Sequence, residues 1–291
     1  VSHRKPSVLT RMTEWLKSTY ERLFDDGSGG MTISRGKIHD YLSMTLDFTV
    51  PREVKISMID YVEDMLLLFS DHDKSDSTAK TPAAEHLFRV NDASTSLTQE
   101  AATIFHNFVA KCLFLTKRAR PNISTAIAFL ITRVKGPDED DWKKLVRMIR
   151  YLRGATQLPL ILRADSVPVP KWWDDGSHAT HPNMRGHTGG CMSLGDGMPI
   201  NTSTKQKINT QSSTETELVA ADDFMPIILW TNYFLEAQGY GHQDTIIYQD
   251  NQSAILLEKN GRKSSSKRTK HLNCRFYFIT DRIHNNELSV E

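Results

Sequence analysis

Asp250-Asn251-Gln252-Ser253-Ala254, set directly behind the apolar run Ile246-Ile247-Tyr248, constrains this chain more than any other stretch. A short apolar run rich in β-branched residues reads as a buried strand, and the polar residues behind it read as the opening of a helix. Asp250 then stands at a strand tip beside a helix N-terminus, a place that can hold a metal against a phosphate. Two more carboxylates occupy comparable settings. Asp175 follows Trp172-Trp173, and Glu217 lies in Ser212-Ser213-Thr214-Glu215-Thr216-Glu217-Leu218. Carboxylates on three separate elements can meet only through the fold, and a converging trio reads as a divalent-metal nuclease site.

The 291 residues are enough for two domains with a core each. With net charge +1 the chain does not announce itself as a nucleic-acid binder, so any such surface must be a local patch. Three scattered cysteines, Cys112, Cys191 and Cys274, argue for a reducing compartment and against a disulfide framework. No apolar run approaches the length of a membrane span, and no signal-peptide core follows Val1. The first residue is not Met, and Val290-Glu291 ends inside an expected strand, so a piece of a longer protein is expected.

Helical spacing is expected from Ser7 to Leu23 and again through Met58, Val62, Met65 and Phe69. Between them, Ile33 and Ile38 through Phe48 alternate around Arg35-Gly36, predicting a hairpin turning there. A polar loop covers 71–96. Thr98 then caps a helix, Pro121 interrupts it, and Gly136-Pro137 starts another whose first turn is acidic and whose later turns are basic, as the helix dipole favours. A boundary is expected near Gly154–Pro159. Beyond it the pattern predicts strands at 160–164, 171–175, 190–194, 200–204, 245–250 and 287–290 and helices at 214–238, 253–259 and 272–282, an α/β domain with a mixed sheet.

Each candidate residue also has a plain structural reading. Asp174 and Asp175 point to opposite faces of a strand, so only one can serve a given site, and both fit a loop before Gly176. Thr214-x-x-Glu217 and Ser212-x-x-Glu215 each match a capping box, and the two glutamates lie about 200° apart around a helix. Asp250 could simply cap the helix behind it. His178-x-x-His181 with His187 and Cys191 has spacing compatible with zinc, although these residues span a turn and a strand. Arg262, Lys263, Lys267, Arg268, Lys270, His271 and Arg275 form a dense basic patch, either solvated surface or a contact for phosphates. Lys117, Arg118 and Arg120 offer a second such contact in the first half.

Taken in order, His187-Thr188-Gly189-Gly190, Lys205-Gln206-Lys207, Ser212 to Ala220, Asp250 to Ala254 and Arg268-Thr269-Lys270-His271 resemble the ribonuclease H domain of copia-type LTR retrotransposon polyproteins. Upstream, Asp40-Tyr41-Leu42-Ser43-Met44-Thr45-Leu46 resembles the primer-gripping strand of a reverse transcriptase, and Phe108 to Ile123 the helical segment after it. The resemblance implies a ribonuclease H-like mixed sheet with flanking helices, preceded by a mostly helical thumb or connection with a palm hairpin. The implied parts are 1–70 (end of palm), 71–156 (thumb or connection) and 157–291 (ribonuclease H-like, truncated at its C-terminus).

By the same resemblance, Asp175, Glu217 and Asp250 are the catalytic metal ligands, holding Mg²⁺ with Mn²⁺ as a substitute, and the reaction is hydrolysis of the RNA strand of an RNA–DNA hybrid. Ser212, Ser213, Asn251, Gln252, Lys267, Arg268, Lys270 and His271 would contact that substrate. The implied partners are the hybrid, or other nucleic acid, and the rest of the polyprotein, with no membrane. The implied setting is intracellular, in the cytoplasm or a virus-like particle. Three features depart from the family. Position 174 is usually apolar there, and the palm's aspartate pair and a fourth ribonuclease H carboxylate are not in the sequence; Asp25-Asp26, before a glycine-rich turn, does not replace the pair. These departures support an alternative, an inert, decayed element that keeps the fold and at most binds nucleic acid.

Overall fold

Met58, Val62, Met65 and Phe69 recur at helical spacing and all four are buried, which seats the helix Ile59–Phe69 in the core of the first half. The computed structural model describes residues 5–20, 31, 33–166, 169–240, 244–261 and 273–291. In chain order its first elements are α1 (Pro6–Tyr20), β1 (Ile38–Tyr41), β2 (Met44–Asp47), β3 (Glu53–Ser57), α2 (Ile59–Phe69), α3 (Gln99–Thr116), α4 (Ser124–Arg133) and α5 (Glu139–Gly154). Then come β4 (Leu160–Ala164), β5 (Lys171–Ser177), β6 (His187–Ser193), β7 (Gly195–Asp196), β8 (Ile200–Lys205), α6 (Ser213–Ala237), β9 (Ile246–Tyr248), α7 (Gln252–Asn260), α8 (Asn273–His284) and β10 (Ser289–Val290).

The predicted cap of α3 is present, whereas Ser7, expected to cap the first helix, lies inside α1. Thr98 accepts from the Ala101 N–H at the start of α3. Asp138 and Asp141 form a reciprocal box at the start of α5, with Arg133 bridging both carboxylates. Phe69, Phe105, Leu115, Phe129 and Ile149 meet in the first core. The hairpin differs from expectation. It turns at Leu42-Ser43, both at positive φ (49° and 62°), with Tyr41 opposite Met44. Two left-handed residues match the twist of the flanking strands, and glycine at Arg35-Gly36 is not used for this turn. The expected apolar face of α1 also finds no burial, since the helix has no buried residue and Trp15 is exposed.

Two sheets result. The first has the order β1-β2-β3-β4-β7. Its strand Leu160–Ala164 lies past the expected chain boundary yet pairs antiparallel with β3. The second has the order β10-β9-β5-β6-β8. There β5, β6 and β8 form an antiparallel meander, while β9 runs parallel to β5 and β10 parallel to β9. Helix α6 covers one face through Phe224, Met225 and Ile228, which meet Trp172, Ile247 and Val290. This is a ribonuclease H-like mixed sheet with flanking helices.

The halves meet where α4 lies on β8. Ser124 donates to Asn201 Oδ1 (2.7 Å), and Phe88 packs edge-on to His181 and His187. Among the described residues, no helix is long and apolar enough to cross a membrane.

Candidate metal centre

Strand alternation divides β5 into two sets of side chains. Trp172, Asp174 and Gly176 are buried, while Trp173, Asp175 and Ser177 are exposed. Parallel pairing sets Trp173 beside Tyr248 of β9, and the two rings stack at 5.3 Å. Asp250 follows two residues after Tyr248, just as Asp175 follows Trp173.

Glu217 reaches the same place from the first turns of α6. The Ser212 hydroxyl accepts from the Glu215 N–H (3.2 Å) and the Glu215 carboxylate accepts from the Gln211 N–H (2.6 Å). Of the two capping frames in the sequence, the earlier one is therefore used, and Glu217 is left to face the strand. The Gly176 N–H donates to Glu217 Oε2 at 2.7 Å. Only glycine fits there: a Cβ on Gly176 would stand 2.7 Å from the Thr216 carbonyl oxygen.

The outcome is convergence. One ligand oxygen each from Asp175, Glu217 and Asp250 lie within 4.8 Å of one another. Glu217 is buried and the two aspartates are exposed. Burial, reinforced by the charges of Asp175 and Asp250, pushes the Glu217 carboxyl up to about 7 against the opposing Gly176 hydrogen bond. Three carboxylates gathered this closely could hold a divalent cation, and an all-oxygen set suits Mg²⁺ or Mn²⁺.

Behind this trio lies a second acidic group, of which the sequence pointed to Asp174 and not to Glu258. Asp174 is buried with neither carboxylate oxygen hydrogen-bonded, and burial with the nearby Glu217 charge pushes it up to about 7. Glu258 of α7 is also buried, with Oε1 unpartnered. Burial, then Asp174 and Glu217, raise it well above the usual carboxylate range. The available signal was spacing, because Ala254, Leu257 and Glu258 fall on one helical face and all are buried.

The other sequence candidates take various places. Asn251 caps α7, its Oδ1 accepting from the N–H groups of Ser253 and Ala254, both at 3.1 Å. Gln252 and Ser213 are exposed beside the trio's helices. Lys267, Arg268, Lys270 and His271, with Arg262 and Lys263, lie outside the described residues. Arg120 is no surface contact, since it is buried and donates to the Ala155 carbonyl (2.8 Å).

The zinc grouping does not assemble. His181 Nε2 and His187 Nδ1 are 3.0 Å apart and His187 Nε2 meets the Ser203 hydroxyl, whereas His178 turns to Thr210 and Thr216. Burial holds His181 and His187 down to about 4, so both are neutral at pH 7. Among the described residues, no other three His, Cys, Asp or Glu side chains converge as the carboxylate trio does. A groove of about 420 Å³ runs from Asp175 over Gly189 and Ser203 to Asn201, Thr125 and Phe88, reaching the first half of the chain.

No family model matches the chain. It is 27% identical over 244 residues to the retrovirus-related Pol polyprotein from transposon TNT 1-94 of Nicotiana tabacum, a match covering 82% of this chain and 18% of that protein. It is 28% identical over 173 residues to the retrovirus-related Pol polyprotein from transposon RE2 of Arabidopsis thaliana, covering 59% of this chain and 12% of that one. Over most of its length the chain is similar to copia-type retrotransposon Pol polyproteins. It spans less than a fifth of the length of either relative. Among solved structures it is similar to LC11-RNase H1 isolated from compost, with TM-score 0.33 and 12% identity over 43% of this chain and 83% of that one. It is also similar to the foamy viral protease-reverse transcriptase, with TM-score 0.48 and 11% identity over 87% of this chain and 37% of that one. The fold assignment rests on the strand order and pairing given above.

Proposed function

We propose that this segment of a Pol polyprotein carries the metal-binding core of a ribonuclease H-type hydrolase acting on the RNA strand of RNA–DNA hybrids. The observation that supports it is the approach of Asp175, Glu217 and Asp250 to within 4.8 Å of one another from three elements. A divalent cation held there would supply positive charge where a phosphodiester gains negative charge during attack by water.

The chain's own residues do the positioning. Asp175 on β5 and Asp250 just past the end of the adjacent parallel strand β9 present their carboxylates together, and the Gly176 N–H fixes the direction of Glu217. The groove beyond Asp175 gives a strand a path across the sheet. Gln252 and Ser213, both exposed at the helix starts, would meet the sugar–phosphate backbone. A hybrid displays its 2′-hydroxyls in a wide, shallow minor groove that small polar side chains can read. No side-chain nucleophile is needed. The remainder of the polyprotein and an intracellular setting complete this reading.

One observation favours the inert alternative: the buried, unpartnered Asp174 weakens the strand that carries Asp175. A labelled RNA–DNA hybrid separates the two readings. Metal-dependent cutting of the RNA strand, abolished by Asp250→Asn, supports the enzyme. Absence of cutting by the wild-type chain with either Mg²⁺ or Mn²⁺ supports the decayed element.

A further inference from the structure

Helix α5 places Lys143, Arg147 and Arg150 at i, i+4 and i+7, a single stripe along one side. The 71–96 segment folds over that stripe and is fastened to it. Arg150 donates to both oxygens of Asp73 (3.0 and 2.9 Å). Arg153 donates to the Ser77 carbonyl (3.0 Å), and the Ala79 N–H donates to the Arg150 carbonyl (3.3 Å). Between segment and helix lies a pocket of about 520 Å³ lined by Thr78, Lys80, Lys143, Val146, Arg147 and Arg150.

The charge in this pocket is unbalanced. No carboxylate lines it. Asp73 neutralises Arg150, and the nearby Asp140 is taken by Lys144 at 2.9 Å. Lys80, Lys143 and Arg147 have no ion pair among the described residues. One amino group of Arg147 donates to the Thr81 hydroxyl (2.9 Å), while its Nε is buried without a partner. With 36 basic and 35 acidic side chains in the chain, such a gathering is not a consequence of composition. Like charges set around one hollow repel, and an anion entering it relieves that repulsion.

We propose that this pocket is a phosphate-binding site, and that it holds the phosphodiester backbone of a nucleic acid while the distant carboxylates act on it. A guanidinium with an unused N–H, two ammonium groups and a hydroxyl form a donor set matched to phosphate oxygens and without base specificity. The site is separate from the carboxylate groove, with which it shares no lining residue. The choice of a nucleic-acid backbone rests on the function proposed above; the affinity for phosphate does not.

The test compares the whole chain with Lys80→Gln/Lys143→Gln and with the triple variant that adds Arg147→Gln. Both lysines are exposed, so the double variant keeps the fold even if the triple does not. Binding to an RNA–DNA hybrid is measured in EDTA, where no cleavage occurs, across a salt series. The expected result is weaker binding by about tenfold or more, with the salt slope reduced by about 0.9 for each phosphate that is no longer neutralised. Unchanged affinity and slope in the double variant would overturn the proposal. A pyrophosphate titration separates the sources. If the substitutions remove pyrophosphate binding but leave hybrid binding untouched, the pocket takes free phosphates and the backbone reading is overturned. Asp250→Asn should leave hybrid binding in EDTA intact. Failure of cleavage alone therefore counts against the proposed function and not against this pocket.

Discussion

Replacing Asp174 by Asn should stabilise the protein, and the gain should depend on pH. Asp174 sits on the buried face of β5 with both oxygens unpartnered, and its carboxyl is raised from the ordinary 3.8 to about 7. At about 1.4 kcal/mol for each tenfold change in proton affinity, ionised Asp174 costs the fold about 4 kcal/mol. The direction follows from proton uptake. Between pH 4 and 7 the folded chain holds a proton on Asp174 that the unfolded chain has lost, so stability falls as pH rises, and the penalty is complete above about 7. Asn keeps the shape and removes the charge but leaves an unpaired amide, which costs about 1–3 kcal/mol. The net gain should be about 1–3 kcal/mol at pH 8 and shrink by about 2 kcal/mol at pH 5. Urea unfolding in EDTA, followed through tryptophan fluorescence, measures it, since Trp172 is buried on the same strand face. Removing the Asp174 charge also eases Glu258, whose carboxyl that charge helps to raise, and this acts in the same direction. Equal effects at pH 5 and pH 8, or a loss of stability at pH 8, would refute the reasoning.

Two further outcomes follow from the packing. Gly176→Ala should cost about 1–3 kcal/mol by forcing α6 off β5, because the new Cβ meets backbone at 2.7 Å; thermal unfolding reads the loss, and hybrid cleavage should fall with it. Cys112 is fully buried and its thiol is pushed up to about 12 by burial, so a thiol reagent at pH 8 should label Cys191 before Cys112, which should react only as the chain unfolds.

Much of the second sheet was legible from the sequence because its strands are short apolar runs separated by polar turns. The start of β5 and the whole of β9 fall within the predicted ranges, as does Leu160–Ala164 of the first sheet. The partner of β4 was not legible, since pairing Leu160 with Ile56 spans the whole helical segment and periodicity says nothing about long-range partners. The hairpin turn was misplaced for a different reason: Leu42 and Ser43 adopt left-handed backbone without the glycine or asparagine that signals it.

At the site, the three carboxylates could be named from motif order, while the choice between Glu215 and Glu217 had a physical reason visible only in the fold. Glu215 is drawn to the Gln211 N–H, and Glu217 to Gly176 across the sheet. Glu258 was missed because an acidic residue on a short helix reads as surface until its neighbours are known to be buried.

The central claim is that Asp175, Glu217 and Asp250 form one divalent-metal site, and Mn²⁺ binding followed by electron paramagnetic resonance tests it most directly. Wild type and Asp174→Asn should both remove free Mn²⁺ signal on titration, and Asp175→Asn and Asp250→Asn should each weaken that binding at least tenfold. Mn²⁺ affinity that is the same in Asp250→Asn as in wild type would contradict the account.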